Sequence, residues 1–152
     1  MSVRLVIDSE SFRRSQQGTI FASIWFQIEA DYFPGPGWSD LAPGFVCAWV
    51  EALHHLVSGA SRNESVGFMD GPYSIEASAL ESGRLKLEFL HNQAGQNVLV
   101  ITAFAKSREI LENAILVAEQ VLDAYHKMNW TDLDESAIRT SLPYAKKLLS
   151  SV

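Results

Sequence analysis

Apolar and polar residues alternate most regularly over residues 19–31. One face of this run carries the apolar residues Ile20, Ala22, Ile24, Phe26, Ile28 and Ala30. This two-residue period predicts a β-strand whose apolar face belongs to the core. The opposite face carries Phe21 and Trp25 and ends in Glu29 and Asp31, so that face is first aromatic and then acidic.

The same alternation predicts a first strand at residues 3–7 and further strands at residues 73–79 and 84–89. Turns rich in glycine, asparagine and proline separate the later strands, which is typical of sequential hairpins. Residues 98–104 are apolar almost throughout, which is typical of a strand in the middle of a sheet. The middle of the chain therefore predicts a β-meander.

Apolar residues recur at helical spacing over residues 45–57, and Gly59 predicts the end of that helix. A second stripe with the same period covers residues 110–125. A third helix is predicted to begin at Thr131. Pro143 is predicted to divide it into two short pieces, because proline lacks the N–H that a helix interior uses.

Strands joined by short turns, with the helices grouped elsewhere in the chain, predict the α+β class. We expect an antiparallel sheet of five to six strands packed on helices in two layers, with a helical C-terminus. The 152 residues are enough for one core, so we expect a single domain over residues 1–152. A hydrophobic content of 47% and a charged content of 20% are typical of a folded globular chain.

The stretch FPGPGWSDLAPGF, which begins at Phe33, joins the most regular strand to the first helix. Its prolines and glycines predict a stiff reversal of the chain rather than a flexible linker. We expect the aromatic side chains of Phe33, Trp38 and Phe45 to anchor this reversal in the core. Asp40, like Asp31 just before the stretch, is then expected to face water or a partner.

The net charge of −6 comes from the middle of the chain. Residues 29–81 contain eight acidic residues and one arginine, whereas the flanking segments are close to neutral. Such a surface repels phosphate, so we expect neither nucleic acid nor an anionic membrane as a partner. Two interpretations stay open, namely a solvated acidic face that aids solubility and a surface for a basic protein partner.

The single cysteine, Cys47, excludes an intrachain disulfide and is typical of a reducing compartment. No apolar run reaches the length that spans a membrane, and residues 1–10 lack the features of a signal peptide. We therefore expect a cytoplasmic protein.

Residues suited to catalysis or metal binding are present, but they form no recognisable motif. His54 and His55 are adjacent, so on a helix their side chains diverge and cannot share a metal as an i, i+4 pair could. Cys47 lies in an apolar helical segment, where a free cysteine usually acts as a small hydrophobic residue. The sequence therefore predicts no catalytic residue, no metal site and no cofactor.

Four acidic residues keep an enzyme hypothesis open: Glu29, Asp31, Asp40 and Asp70. If the turns bring them to one cleft, two carboxylates could act as the acid and base of a small hydrolase. The same cleft could instead bind a small ligand. This hypothesis requires the four side chains to converge.

An aromatic patch with an acidic rim is the usual anatomy of a protein-binding site. The predicted members here are Phe21, Trp25, Glu29, Asp31, Trp38, Asp40 and Asp70. The C-terminal helices could cover the aromatic face. If those helices pack on the others instead, a second copy of the chain is the simplest cover. We therefore also predict a homodimer with Phe21 and Trp25 in or near its interface.

Three short motifs follow one another within residues 19–80, namely FPGPGWSD, the tryptophan-containing AWVEALHHL, and FMDGPYSIEA. In this order they resemble small bacterial proteins of the polymorphic-toxin immunity type. The resemblance implies an acidic, cytoplasmic, non-enzymatic protein that neutralises a toxin by binding it, and it carries over no catalytic residues. The sequence thus predicts a module that binds a basic protein, with a toxin as the partner that the resemblance suggests.

Overall fold

The computed structural model describes residues 2–152. The elements are β1 (Val3–Ile7), β2 (Arg13–Arg14), β3 (Ile20–Ile28), β4 (Asp31–Phe33), β5 (Ser39–Asp40), α1 (Ala42–Ser58), β6 (Asn63–Gly67), β7 (Tyr73–Leu80), β8 (Arg84–Gln93), β9 (Gln96–Lys106), α2 (Ser107–Met128) and α3 (Leu133–Ser151). Antiparallel strands together with helices confirm the predicted α+β class, and the helical C-terminus is confirmed with it.

The strands form two antiparallel sheets rather than one. Strand β3 is the centre of the first sheet, where it pairs with β1, β2, β4 and β5. Strands β6, β7, β8 and β9 form the second sheet in that order, which is the predicted meander. Because β3 already has partners on both edges, the meander has no edge of β3 to join and forms a sheet of its own.

The apolar face of β3 lies in the core, as its alternation predicts. Ile20, Ala22, Ile24, Phe26 and Ile28 are each 6% exposed or less. The intervening side chains of the strand are half-buried. The period of two therefore identifies both faces of the longest strand of the first sheet.

The ring of Phe26 lies where the two sheets and α1 meet. It makes edge contacts with Phe45 and Trp49 of α1, at centroid distances of 6.1 and 5.3 Å. It makes further edge contacts with Phe68 at 6.2 Å and with Phe89 of β8 at 5.2 Å. Edge-to-face packing suits the charge distribution of aromatic rings. The core face of β3 is thus covered by the second sheet as well as by a helix.

The three helices pack on one another, and α3 lies against both α1 and α2. Gly59 ends α1 with a φ of 84°, as predicted. Helix α3 is capped by Asp132, whose Oδ1 accepts a hydrogen bond from the backbone N–H of Glu135 at 2.9 Å. This cap lies one residue after Thr131, the predicted start of the helix. Pro143 lies inside a continuous α3, so the predicted division is wrong. Buried side chains on both sides of the proline hold the helix against its neighbours, and this packing compensates for the missing hydrogen bond.

The edges of the sheets differ in how they are covered. At the outer edge of β1, the N–H of Leu5 donates to Oδ1 of Asn113 at 2.7 Å, and Nδ2 of Asn113 donates to the carbonyl of Leu5 at 3.1 Å. Strand β6 is short and lies beside α1. Strand β9 pairs only with β8 among the described residues, so the prediction of a central strand over residues 98–104 is wrong. That apolar run belongs to a long hairpin whose tip extends out of the core.

Candidate functional site

The carboxylate of Asp40 is fully buried and joins two loops. Its Oδ1 atom accepts hydrogen bonds from the backbone N–H groups of Leu41 at 2.7 Å and Met69 at 3.0 Å. Its Oδ2 atom accepts from Nε1 of Trp38 at 2.9 Å and from the backbone N–H of Asp70 at 3.2 Å. These donors replace the water that a buried carboxylate gives up. The expectation that Asp40 faces water is therefore wrong.

The strand pairing explains why Asp40 points inward. Asp40 lies opposite Ala22 in the register of β5 with β3, and opposite residues of an antiparallel pair share one face. Ala22 belongs to the buried face of β3. Helix α1 begins at Ala42, so the carboxylate also lies near the helix N-terminus, where the dipole favours a negative charge.

The indole of Trp38 holds the same two loops together from the outside. A Cβ atom added at Gly71 would lie 2.8 Å from Cζ2 of Trp38, so glycine is needed at this close approach. The ring of Tyr73 packs edge-on against the indole at a centroid distance of 5.2 Å. Phe33 and Phe45 are buried, which confirms that they anchor the reversal, and Trp38 is half-buried beside them.

The two loops, together with strand β4 that precedes the first of them, display a mixed apolar and acidic surface, which we call the loop surface: Asp31, Tyr32, Trp38, Met69 and Asp70. Its acids are exposed, Tyr32 is 44% exposed and Met69 is 51% exposed. Strand β4 carries Asp31 and Tyr32 and ends at Phe33. The ring centroid of Phe33 lies 5.6 Å from that of Tyr73, which follows the second loop in the sequence. The buried Asp40 thus joins Trp38 and Asp70 of the predicted site, whereas Asp31 lies on β4, which the ring contact of Phe33 connects to the second loop.

Glu29 is placed differently from the other predicted acids. Its Oε1 atom accepts a hydrogen bond from the backbone N–H of Ser2 at 3.0 Å, and its own N–H donates to the carbonyl of Ser2 at 2.9 Å. The residue has a positive φ of 53°, which fits the tight turn between β3 and β4. Its carboxylate thus fixes the start of the chain against this turn.

Phe21 and Trp25 lie on the face of β3 opposite the core and are half-buried, and their role as binding residues in or near a dimer interface stays a prediction. The guanidinium of Arg13 lies 5.0 Å from the ring centroid of Phe21. Trp25 lies opposite Val6 of β1, and its Nε1 is buried without a hydrogen-bond partner. The aromatic contact of Trp38 is with Tyr73 of β7 rather than with Trp25.

The carboxylate hypothesis requires four acids in one cleft, and their positions differ from that arrangement. Asp40 is buried and fully hydrogen-bonded, while Glu29 is held by Ser2. Asp31 and Asp70 are exposed to solvent. All four hydrogen bonds to the Asp40 carboxylate come from N–H groups of the two loops, so its oxygens are engaged in holding those loops together.

A cavity of about 210 Å³ lies between α1 and α3, away from the predicted acids. Its lining includes Cys47, Glu51, His54 and Ser141. Burial, followed by the negative charges of Asp134 and Glu51, raises the pKa of the Cys47 thiol. A raised pKa disfavours the thiolate, which is the form of cysteine that attacks as a nucleophile.

Two of the four histidines, His55 and His91, make local contacts. Nδ1 of His55 lies 2.9 Å from the carboxylate of Glu64, and His91 stacks on Tyr73 at a centroid distance of 4.6 Å. Within residues 2–152 no group of three or more potential ligands is arranged to hold a metal ion. In the same part of the chain, no helix combines the length and the apolar character needed to cross a membrane.

The sequence reasoning missed the tip of the β8–β9 hairpin. Val98, Leu99 and Val100 are 42%, 51% and 51% exposed, respectively, and with Phe104 we call them the hairpin surface. One signal could have identified it, since residues 89–105 contain no aspartate, glutamate, lysine or arginine. An apolar run without charges is typical of a central strand, and only the topology shows that this one lies at an edge.

Comparison with known protein families, curated proteins and solved structures finds no match for the chain. The resemblance to immunity proteins stays a prediction.

Proposed function

We propose that the chain is a non-enzymatic protein-binding module whose loop surface contacts a basic protein partner. The observation that carries this proposal is the buried carboxylate of Asp40. Its hydrogen bonds tie the loop before α1 to the loop between β6 and β7. The loop surface is therefore ordered before any partner arrives.

Order of this kind favours binding because less conformational entropy is lost on association. The reversal before α1 is further stiffened by its prolines and anchored by Phe33 and Phe45. Gly71 lets the indole of Trp38 close over the second loop. Both loops thus present their side chains from a fixed backbone.

The composition of the loop surface fits a protein partner. Met69 and Tyr32 supply apolar contact area, and each has an exposed acid next to it in the sequence. Apolar centres with charged margins are common in protein interfaces, and methionine adapts to irregular surfaces. The acids select a partner of positive charge and accelerate its approach. The motif resemblance adds that this partner is a toxin.

Capture followed by reconstitution tests the proposal. The immobilised chain is incubated with an extract of the cells that encode it, and the retained protein is identified, purified and titrated back by calorimetry. We expect a basic partner, and we expect the Asp31→Lys/Asp70→Lys variant to weaken its affinity by about tenfold or more, because two attractive charges become repulsive.

The matched control is Glu81→Lys/Glu112→Lys, which makes the same charge change at exposed positions away from the loop surface. This control should retain the affinity of the wild-type chain apart from a small effect of net charge. An equal loss of affinity for the partner in both double variants would contradict the proposal. A capture experiment that retains no protein would contradict it as well.

A further inference from the structure

We propose that two copies of the chain associate through antiparallel pairing of their β9 strands across a two-fold axis. This proposal rests on the second sheet and is independent of the loop surface. Strand β9 is eleven residues long and has a strand partner on one edge, β8, within residues 2–152. Its other edge carries backbone N–H and C=O groups that a further strand can pair.

The outer strands β1 and β6 are protected from pairing with another chain. The carboxamide of Asn113 takes both the N–H and the carbonyl of Leu5 at the edge of β1. Strand β6 is five residues long, mostly polar, and lies beside α1. Covered, short and polar edges are the usual protection against unwanted pairing. Strand β9 approaches β1 and α2, and its residues Ala103 and Ala105 are buried, but its residues 96–100 are exposed. This half of β9 is therefore the part of the edge that is open to another chain.

Pairing of two β9 strands would remove exposed apolar side chains of β9 from water. Val98, Leu99 and Val100 are consecutive and each is more than 40% exposed, and Phe104 is 38% exposed. Removing apolar surface from water stabilises an association in proportion to the area removed. Consecutive residues point to opposite faces of a strand, so a pairing strand would shield both faces of the tip.

Charge favours a second copy of the chain over the basic partner at this edge. The chain carries a net charge of −6, so two copies repel each other over most of their surfaces. Residues 89–105 contain no lysine, arginine, aspartate or glutamate, so two copies can meet there without like-charge contacts. A basic partner gains no electrostatic attraction from the same segment.

The polar residues at the tip are uncharged. They are the amides Asn92, Gln93, Gln96 and Asn97, of which Gln96 and Asn97 lie on β9. An amide side chain carries both donors and an acceptor, so Gln96 and Asn97 can form hydrogen bonds with a second strand without bringing like charges together.

Sedimentation of the purified chain over about 1–100 µM tests the proposal, since this range brackets the dissociation constants of modest dimers. We expect a reversible monomer–dimer equilibrium. Leu99→Lys should raise the dissociation constant by about tenfold or more, because it places like charges near the two-fold axis. Leu116→Lys is the matched control on α2, where the leucine is 56% exposed compared with 51% for Leu99.

Hydrogen exchange supplies a second readout that does not depend on a variant. We expect β9 amides to exchange more slowly at high chain concentration than at low concentration, with the β6 amides unchanged. A monomer throughout the range, a dimer that Leu99→Lys leaves intact, or a dimer that Leu116→Lys weakens equally would overturn the proposal. A dimer that is lost in Trp25→Ala and kept in Leu99→Lys would place the interface on the first sheet and overturn it as well.

Discussion

The loop surface and the hairpin surface both expose apolar side chains, and they are built in opposite ways. The loop surface combines the short strand β4 with two loops that the buried Asp40 holds together, and it carries the exposed acids Asp31 and Asp70. The hairpin surface is regular strand without charged residues and without a buried polar anchor. Under our two proposals, this difference in charge selects the partner of each surface, namely a basic protein at the loop surface and a second copy of the chain at the hairpin surface.

Removing the Asp40 carboxylate should have the largest effect on this comparison. Asp40→Ala leaves four N–H groups without their acceptor, so we expect a loss of about 3–5 kcal/mol in the free energy of unfolding. Chemical denaturation measures it. The control Asp31→Ala removes an exposed carboxylate and should change stability by about 0.5 kcal/mol at most. A similar small change for both variants would show that Asp40 does not hold the loops.

Adding a methyl group at Gly71 should have the next largest effect. The Cβ of Gly71→Ala would lie 2.8 Å from the Trp38 ring, and the φ of 143° is itself unfavourable for alanine. We expect a loss of about 1–3 kcal/mol, together with a changed tryptophan fluorescence spectrum. Gly35→Ala is the control in the first loop, where an added Cβ meets no atom within 4 Å. If the two variants are equally stable, Trp38 can move aside at no cost.

Much of the first sheet and the helices can be predicted from the sequence, because their side chains follow one period and one face is buried. The placement of Asp40 cannot be predicted in this way. A carboxylate in a turn usually faces water, and its donors include Met69 and Asp70, which are distant along the chain. The edge position of β9 cannot be predicted from the sequence either, because an apolar strand has the same sequence pattern whether it has one neighbouring strand or two. Both errors concern long-range placement, which a local pattern does not contain.

Opening the covered edge of the first sheet should have a moderate effect. Asn113→Ala leaves the N–H and carbonyl of Leu5 without their partners, so we expect a loss of about 1–2 kcal/mol in the free energy of unfolding. Gln120→Ala is the control on the same helix, where the side chain makes one exposed bond to Ser9. Equal stabilities of the two variants would mean that the edge of β1 needs no cover, which would weaken the contrast with β9.

The smallest effect concerns Asp134, whose carboxylate is partly buried at the start of α3. Burial, followed by the negative charge of Asp132, raises its pKa. The folded chain therefore binds this proton more tightly than the unfolded chain, and stability falls as the pH rises through the window above the ordinary aspartate pKa. Asp134→Asn should be more stable than the wild type at neutral pH and equal to it in acid. Thermal unfolding of both chains at several pH values checks this prediction. A higher stability of Asp134→Asn that persists in acid would contradict it.

Hydrogen exchange on the complex tests the central claim most directly. The partner retained in the capture experiment is added to the chain, and amide exchange is compared with and without it at a fixed chain concentration. We predict slower exchange in β4, in the segment that carries Trp38 and in the loop that carries Met69 and Asp70, with β9 unchanged. Slower exchange confined to β9, or to the outer face that carries Trp25, would contradict the assignment of the loop surface as the partner site.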